Sequence, residues 1–126
     1  MDEMQLLEVM QMKTLTVNGH KHLFSVPITQ HVTKEQKEAL KGEKRIALRS
    51  PKVLNGEVLA VIENPVFYEN RKEEISTRIF GTFSLKHPKI ERIVEQGDFL
   101  VTGSSMKFVR NVEFNDQLDQ YRITPA

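Results

Sequence analysis

The 126-residue sequence contains no cysteine, and this absence removes several kinds of chemistry. Without thiols the chain can form no disulfide framework, no thiolate zinc site and no thiol nucleophile. It also has no apolar run near the roughly 20 residues that span a bilayer, and no N-terminal run that resembles a signal peptide. We therefore expect a cytoplasmic protein without a membrane partner.

Neither sign of charge is in excess, because 18 lysines and arginines stand against 17 aspartates and glutamates, for a formal net charge of +1. Nucleic-acid-binding modules usually carry a basic excess or a basic stripe, since phosphate contacts dominate their affinity. Mixed charges are instead typical of a solvated surface. The charge pattern argues against a nucleic-acid partner.

The common signatures of nucleotide-binding and hydrolytic enzymes are missing as well. The sequence has no GxxxxGK[ST], no GxGxxG, no HExxH and no GxSxG. The Gly-Thr pair at 81–82 and the Gly-Ser pair at 103–104 are isolated and form no phosphate-binding loop. We predict that this chain contains no catalytic and no cofactor-binding residue.

Short elements follow one another along the chain. Asn18-Gly19 lies between two apolar segments and predicts a β-hairpin, because both turn positions need positive φ. Asn55-Gly56 predicts a second such turn. Thr33 and Gln36 form a capping box for a helix that should stop at Gly42. Residues 4–12 fit either a helix or an extended arm. The remaining predicted elements are strands at 45–48, 58–62, 99–101 and 107–114, and helices at 69–80 and from Pro88 to Gly97.

This order predicts an α+β fold with a compact, mostly antiparallel sheet or small barrel and two to four short helices. No repeat, low-complexity tract or linker divides the sequence. We therefore predict one domain over residues 1–126.

Two groups of polar residues are candidates for chemistry. His20 and His22 share a strand face at a spacing that can chelate a metal, but no third ligand is evident nearby, so we predict no metal site. The run from Arg71 to Glu74 is expected on a helix, where residues three or four apart can pair. The expected pairs are Glu69 with Lys72, Arg71 with Glu74, and Glu74 with Arg78. Two interpretations stay open: a solvated helix or a docking surface.

Residues 64–74, NPVFYENRKEE, are similar to a block of ATP sulfurylases that reads Asn-Pro, a variable residue, two aromatics and Arg-Lys-Glu-Glu. Further blocks of the same family follow in the same order: Gly-Thr at 81–82, His-Pro at 87–88, EQGD at 95–98 and LDQYRITP at 118–125. Upstream, QLL at 5–7 and SVPI at 25–28 also match. The sequence resembles most the sulfurylase half of bifunctional 3′-phosphoadenosine-5′-phosphosulfate synthases, where an adenylyl-sulfate kinase domain precedes it.

The resemblance implies a PUA-like N-terminal domain that a nucleotidyltransferase domain follows. In that second domain, Gln-x-Arg-Asn and His-x-x-His segments serve the attack of sulfate on the α-phosphorus of ATP. Neither segment occurs here, since the Arg-Asn pair at 110–111 has Phe108 in place of the glutamine. We therefore expect the longer enzyme, called the parent enzyme below, to bind ATP with magnesium outside this chain.

The chain departs from the family pattern at a few positions. Val66 stands where an acidic residue is usual, Asn70 where histidine is frequent, and Gly103-Ser104 where two glycines often occur. These departures affect the details of loop contacts.

The partner implied by the resemblance is the catalytic domain of the parent enzyme, itself expected to be a homo-oligomer, whereas this chain alone could be a monomer. The alternative is a stand-alone PUA-type module that binds RNA, which fold analogy alone supports. We predict that two segments form the docking interface with the catalytic domain: Arg71, Lys72, Glu73 and Glu74 in the first, and Asp119, Tyr121 and Arg122 in the second.

Overall fold

The computed structural model describes residues 1–50, 56–109 and 112–122. Within these ranges the chain forms four α-helices, eight β-strands and one short 3₁₀ helix. The helices are α1 (Glu3–Met12), α2 (Lys34–Ala39), α3 (Lys72–Phe80) and α4 (Pro88–Val94), and the 3₁₀ helix is Asp119–Tyr121. The strands are β1 (Thr14–Val17), β2 (His20–Leu23), β3 (Gln30–Val32), β4 (Arg45–Arg49), β5 (Val58–Glu63), β6 (Val66–Glu69), β7 (Phe99–Thr102) and β8 (Ser105–Phe108).

The strands form three small sheets, and every pairing is antiparallel. One sheet is the hairpin β1-β2, the second has the order β3-β7-β6, and the third has the order β4-β5-β8. The prediction of an α+β fold with mostly antiparallel strands is confirmed. The described strands do not close into a barrel, so the compact-sheet alternative is the one observed.

Local turn and cap signals are found where the sequence placed them. Asn18 and Gly19 have φ values of 51° and 80° and join β1 to β2. Thr33 and Gln36 form the predicted capping box of α2, which ends at Ala39. Gly56 has the positive φ expected of the second turn, whereas Asn55 lies outside the described residues.

The first segment is a helix and not an extended arm. Asp2 caps α1 through the backbone N–H of Gln5, whose side chain in turn accepts a hydrogen bond from the N–H of Asp2. This reciprocal box starts the helix, and its apolar face is then buried at Leu6, Val9 and Met10. None of the described helices has the length and apolar character needed to cross a membrane.

The predicted helix at 69–80 is wrong in its first three residues. The helix begins at Lys72, and residues 66–69 form β6, in which Tyr68 lies opposite Leu100 of β7. The turn at Asn64-Pro65 ends β5 and returns the chain beside β7, where the branched and aromatic side chains of β6 suit a strand. Sheet pairing therefore prevails over the helix-forming composition of the segment.

The predicted strand at 107–114 is also wrong at both ends. The observed β8 runs from Ser105 to Phe108 and pairs with β5, while β7 belongs to a different sheet. Val109 donates its N–H to the carbonyl of Leu59, which is only one residue from the start of β5 at Val58. Strand β8 therefore ends near the point where its partner strand begins.

Strand β7 lies between the two parts of the core. Leu100 and Val101 are neighbours on this strand, so their side chains point to opposite faces. Leu100 packs with residues of α1, α3 and α4, including Leu6, Ile75 and Ile93. Val101 packs with the cluster around Val32, Ile46 and Ile62. The helices thus cover one face of the central sheet and the β4-β5-β8 sheet covers the other.

Candidate functional site

The first predicted docking segment forms the N-terminal turn of α3. Arg71 occupies the N-cap position without a side-chain cap, and Lys72, Glu73 and Glu74 follow it as the first helical residues. We call these four residues the charged turn. Strand β6 leads directly into it, and a shallow depression of about 540 Å³ lies along it between Glu69 and Arg78.

Arg71 connects the charged turn to α1. Its Nη2 lies 2.8 Å from Oε1 of Glu3, and its Nη1 lies 3.7 Å from Oε2 of Glu74. Glu74 also pairs with Arg78, whose Nε lies 4.0 Å from Oε1. Two of the three ion pairs expected from helical spacing are therefore confirmed.

Lys72 has a different partner from the one predicted. Its Nζ lies 2.9 Å from Oδ1 of Asp98 and donates to the carbonyl of Val94 at 3.1 Å. The expected pair with Glu69 assumed that both residues share a helix, but Glu69 belongs to β6. Lys72 instead joins α3 to the C-terminal end of α4.

Glu73 is the member of the charged turn that faces solvent. Its side chain is exposed, and its carboxylate makes no hydrogen bond or ion pair to the residues that the structure describes. Its backbone carbonyl accepts a hydrogen bond of 2.8 Å from the hydroxyl of Thr77. Arg71 and Lys72 thus pair with residues of the same domain, whereas the carboxylate of Glu73 is free for a contact with another domain.

Two buried polar side chains beside the charged turn were missed by the sequence reasoning. Asn70 is 6% exposed and donates from Nδ2 to the carbonyl of Gly97 at 2.8 Å. Its Oδ1 and the hydroxyl of fully buried Ser76 have no hydrogen-bond partner in the described part of the chain. No sequence pattern indicates this burial, because Asn and Ser are ordinarily exposed.

The second predicted docking segment lies in a self-contained C-terminal tail, residues 112–122. The carboxylate of Asp119 accepts hydrogen bonds from the backbone N–H groups of Phe114 and Asn115. Arg122 donates from Nη1 to Asp116 at 2.7 Å and to Asp119 at 2.6 Å, and its guanidinium lies 4.6 Å from the centre of the Phe114 ring. Tyr121 is 73% exposed.

These contacts shift the protonation equilibria of the tail. The hydrogen bond from Arg122 is the main cause that lowers the pKa of Asp116 to about 2. The backbone N–H of Phe114 is the main cause that lowers the pKa of Asp119, with Asn115 and Arg122 contributing. Both carboxylates therefore stay ionised well below neutral pH, which keeps the tail network intact.

The structure does not join the two predicted segments. Over the described residues, no hydrogen bond or ion pair links the tail to the charged turn. The partners of Arg122 are aspartates of its own tail and not carboxylates of α3. Contact with another domain through either segment stays a prediction.

Three of the histidines lie on a surface strand or at a helix cap. His20 and His22 lie on β2, an exposed strand, and the described residues contain no group of three or more side chains that could hold a metal ion. His87 is the N-cap of α4, where its Nδ1 accepts the backbone N–H of Lys89 at 3.2 Å.

Residues 1–110 match the family described as PUA-like domain. The chain is 28% identical over 127 residues to "ATP sulfurylase 2" of Arabidopsis thaliana, a match that covers 99% of this chain and 26% of the relative. It is 31% identical over 114 residues to "Sulfate adenylyltransferase" of Psychrobacter sp. (strain PRwf-1), covering 90% of this chain and 26% of the relative.

A third relative is "Sulfate adenylyltransferase" of Carboxydothermus hydrogenoformans, at 27% identity over 103 residues, covering 82% of this chain and 26% of that protein. The chain therefore spans about a quarter of the length of the curated relatives that it matches. On the strength of the family match and these alignments, the chain belongs to the PUA-like domain family and is homologous to ATP sulfurylases over most of its length.

Proposed function

We propose that this chain is the non-catalytic N-terminal domain of an ATP sulfurylase, which makes adenylyl sulfate and pyrophosphate from ATP and sulfate. The observation that carries the proposal is the alignment of 99% of this chain to only 26% of a sulfurylase. The parent enzyme then holds ATP with magnesium in a separate domain. The motif resemblance supports a cytoplasmic, homo-oligomeric enzyme of sulfate activation that an adenylyl-sulfate kinase domain precedes.

The role of this chain in the parent enzyme is to dock onto the catalytic domain and hold its geometry. The charged turn suits this role because ion pairs attach it to elements on either side. Arg71 ties it to α1 and Lys72 ties it to the end of α4, so the helix presents Glu73 from a rigid support. A preordered carboxylate loses little conformational freedom when it binds a cation on another domain.

The C-terminal tail supplies the second contact. Its local network of Asp116, Asp119 and Arg122 gives the segment a shape, while Tyr121 stays 73% exposed. An exposed tyrosine combines a large apolar ring with a hydroxyl, a combination that is enriched at interfaces. Tyr121 is the residue of the tail best suited to pack against a catalytic domain.

Calorimetry with magnesium–ATP tests the division of labour. The 126-residue chain should show no submicromolar binding, whereas the parent enzyme should bind the nucleotide and release pyrophosphate in the presence of sulfate. Submicromolar binding of ATP by the chain alone would refute the proposal. A salt-dependent shift on mixing the chain with structured RNA would instead favour an RNA-binding module.

Thermal melts of two proteins test the docking role. Glu73→Lys should lower the melting temperature of the parent enzyme by clearly more than that of the 126-residue chain, where the change removes only a favourable charge from the first turn of α3. Glu38→Lys, the same charge reversal at an exposed position of α2, serves as the matched control and should affect neither protein. An equal effect of Glu73→Lys in both proteins would argue against docking.

A further inference from the structure

A groove of about 610 Å³ opens beside the β4-β5-β8 sheet, on its core-facing side. The strand register puts two apolar rows across this face. Ile46, Ile62 and Met106 form one row, and Leu48, Ala60 and Phe108 form the next. The two rows run from buried or half-buried residues on β4 and β5 to exposed ones on β8.

The exposed end of the groove is apolar although it faces solvent. Met106 is 55% exposed and Phe108 is 58% exposed, and both line the groove. The opposite face of the same sheet is mixed, because Arg45, Glu63 and Lys107 lie there beside Ala47 and Val61. An exposed apolar surface along an edge strand is typical of an interaction site.

Strand β8 is an edge strand among the described elements, so part of its backbone has no sheet partner. Val109 directs its N–H toward β5, where it bonds the carbonyl of Leu59. Successive amides of a strand alternate in direction, and the N–H of Phe108 and that of Met106 therefore point away from β5. The edge can accept an extended segment while the groove takes its side chains.

Arg49 gives the groove a charge preference. On the polar face, Arg45 and Lys107 both pair with Glu63, at 3.9 Å and 3.5 Å. Arg49 lines the groove and makes no ion pair with the residues that the structure describes. An occupant with a carboxylate near its apolar side chains would therefore be complementary to the site.

We propose that this groove receives an extended apolar segment with an acidic residue, contributed by the catalytic domain of the parent enzyme; this rests on the proposed function. Strand β8 is the last strand of the described residues, and the curated relatives are about four times as long as the part that this chain matches. A catalytic domain joined to the chain after β8 would lie at high effective concentration around the groove, which favours it over a free partner.

Hydrogen exchange at the β8 edge tests the proposal, with the 126-residue chain and the parent enzyme compared under the same conditions. The amides of Met106 and Phe108 should exchange at least tenfold more slowly in the parent enzyme. Phe108→Ser should return both amides to the exchange rates of the chain alone. Leu23→Ser, at an 84% exposed position of β2, is the matched control and should leave the protection intact.

The charge preference has its own test. Arg49→Glu should also reduce the protection of these amides in the parent enzyme, whereas Arg92→Glu, at an exposed position of α4, should not. Equal exchange rates in the two proteins would overturn the proposal, even if the parent enzyme makes adenylyl sulfate. A dimer of the isolated chain that Phe108→Ser dissociates would also overturn it, because a second copy would then be the occupant. A parent enzyme without sulfurylase activity would refute the proposed function separately.

Discussion

The guanidinium of Arg71 lies 2.8 Å from the carboxylate of Glu3, and this contact ties the start of α3 to the start of α1. We expect Arg71→Ala to lower the free energy of unfolding of the 126-residue chain by about 0.5–1 kcal/mol, the usual range for a partly exposed pair. Chemical denaturation at low ionic strength measures this difference. It should shrink at about 1 M salt, since ions screen exposed charges.

Arg45→Ala is the control for this pair. The Nε of Arg45 lies 3.9 Å from Glu63, and its side chain is 75% exposed, so its removal should change stability less than that of Arg71. If Arg71→Ala and Arg45→Ala lower the free energy of unfolding equally, the Arg71–Glu3 pair stabilises the chain no more than an ordinary surface ion pair does. A loss that persists unchanged at high salt would point to packing of the arginine stem instead.

Gly97, in the loop before β7, lies so close to the backbone of β3 that an added side chain would collide with it. A Cβ at this position would lie 2.1 Å from the carbonyl oxygen of Val32, which is backbone and cannot move aside. Gly97→Ala should therefore destabilise the chain by about 1–3 kcal/mol, as overpacking does. A thermal or urea melt of the purified chain measures the loss.

Gly42→Ala separates this effect from the general cost of replacing a glycine. Gly42 has φ of 87° and open space around its Cβ position, so alanine there meets only backbone strain of about 1 kcal/mol. A Gly97→Ala variant that is no less stable than Gly42→Ala would contradict the close approach to Val32.

Signals that act over three or four residues were readable from the sequence. Thr33 with Gln36 and Asn18 with Gly19 each place a hydrogen bond or a φ value within one turn, and the structure has both. Their geometry depends on neighbours in the chain, so no knowledge of the tertiary fold is needed.

Pairings across the fold were not readable in the same way. Lys72 pairs with Asp98, 26 residues away, because β6 takes Glu69 off the helix. The burial of Asn70 likewise depends on the carbonyl of Gly97, which the β6–β7 pairing brings near. The apolar groove is a third case, since Met106 and Phe108 become one surface with Leu48 only through strand register. Helical spacing cannot show any of these relations.

Tyr68 should make the stability of the chain sensitive to high pH. Its hydroxyl donates to the carbonyl of Met1 at 2.7 Å, and burial raises its pKa from 10.0 to about 12. The unfolded chain loses this proton first, so the contribution of Tyr68 is fully present below pH 10 and is lost as pH rises to about 12. Thermal melts across this interval should show the loss.

Tyr68→Phe should remove that part of the pH dependence and cost about 1 kcal/mol at neutral pH through the lost hydrogen bond. Tyr121→Phe is the matched control, since its side chain is 73% exposed, and it should leave the high-pH loss in place. The same decline between pH 10 and 12 in the Tyr68→Phe variant would assign it to other groups.

Arg122 should matter little to the isolated chain and more to the parent enzyme. Its ion pairs are to Asp116 and Asp119 of the same exposed tail, so Arg122→Ala should leave the melting temperature of the 126-residue chain nearly unchanged. In the parent enzyme, a tail that has lost these ion pairs would no longer hold Tyr121 in place against the catalytic domain. There we expect a loss of roughly 2–6 °C in melting temperature.

A carboxyl titration by NMR verifies that the variant acts through the tail. The hydrogen bond from Arg122 lowers the pKa of Asp116 from 3.8 to about 2. The stabilisation that this contact gives the tail is therefore complete above pH 3.8 and is lost as pH falls through about 2. Arg122→Ala should return this midpoint toward 3.8. If the midpoint of Asp116 returns toward 3.8 and Arg122→Ala lowers the melting temperature of both proteins by the same amount, Arg122 stabilises this domain through contacts within it. The docking role of the tail would then be wrong, because a contact with the catalytic domain can change only the protein that contains it.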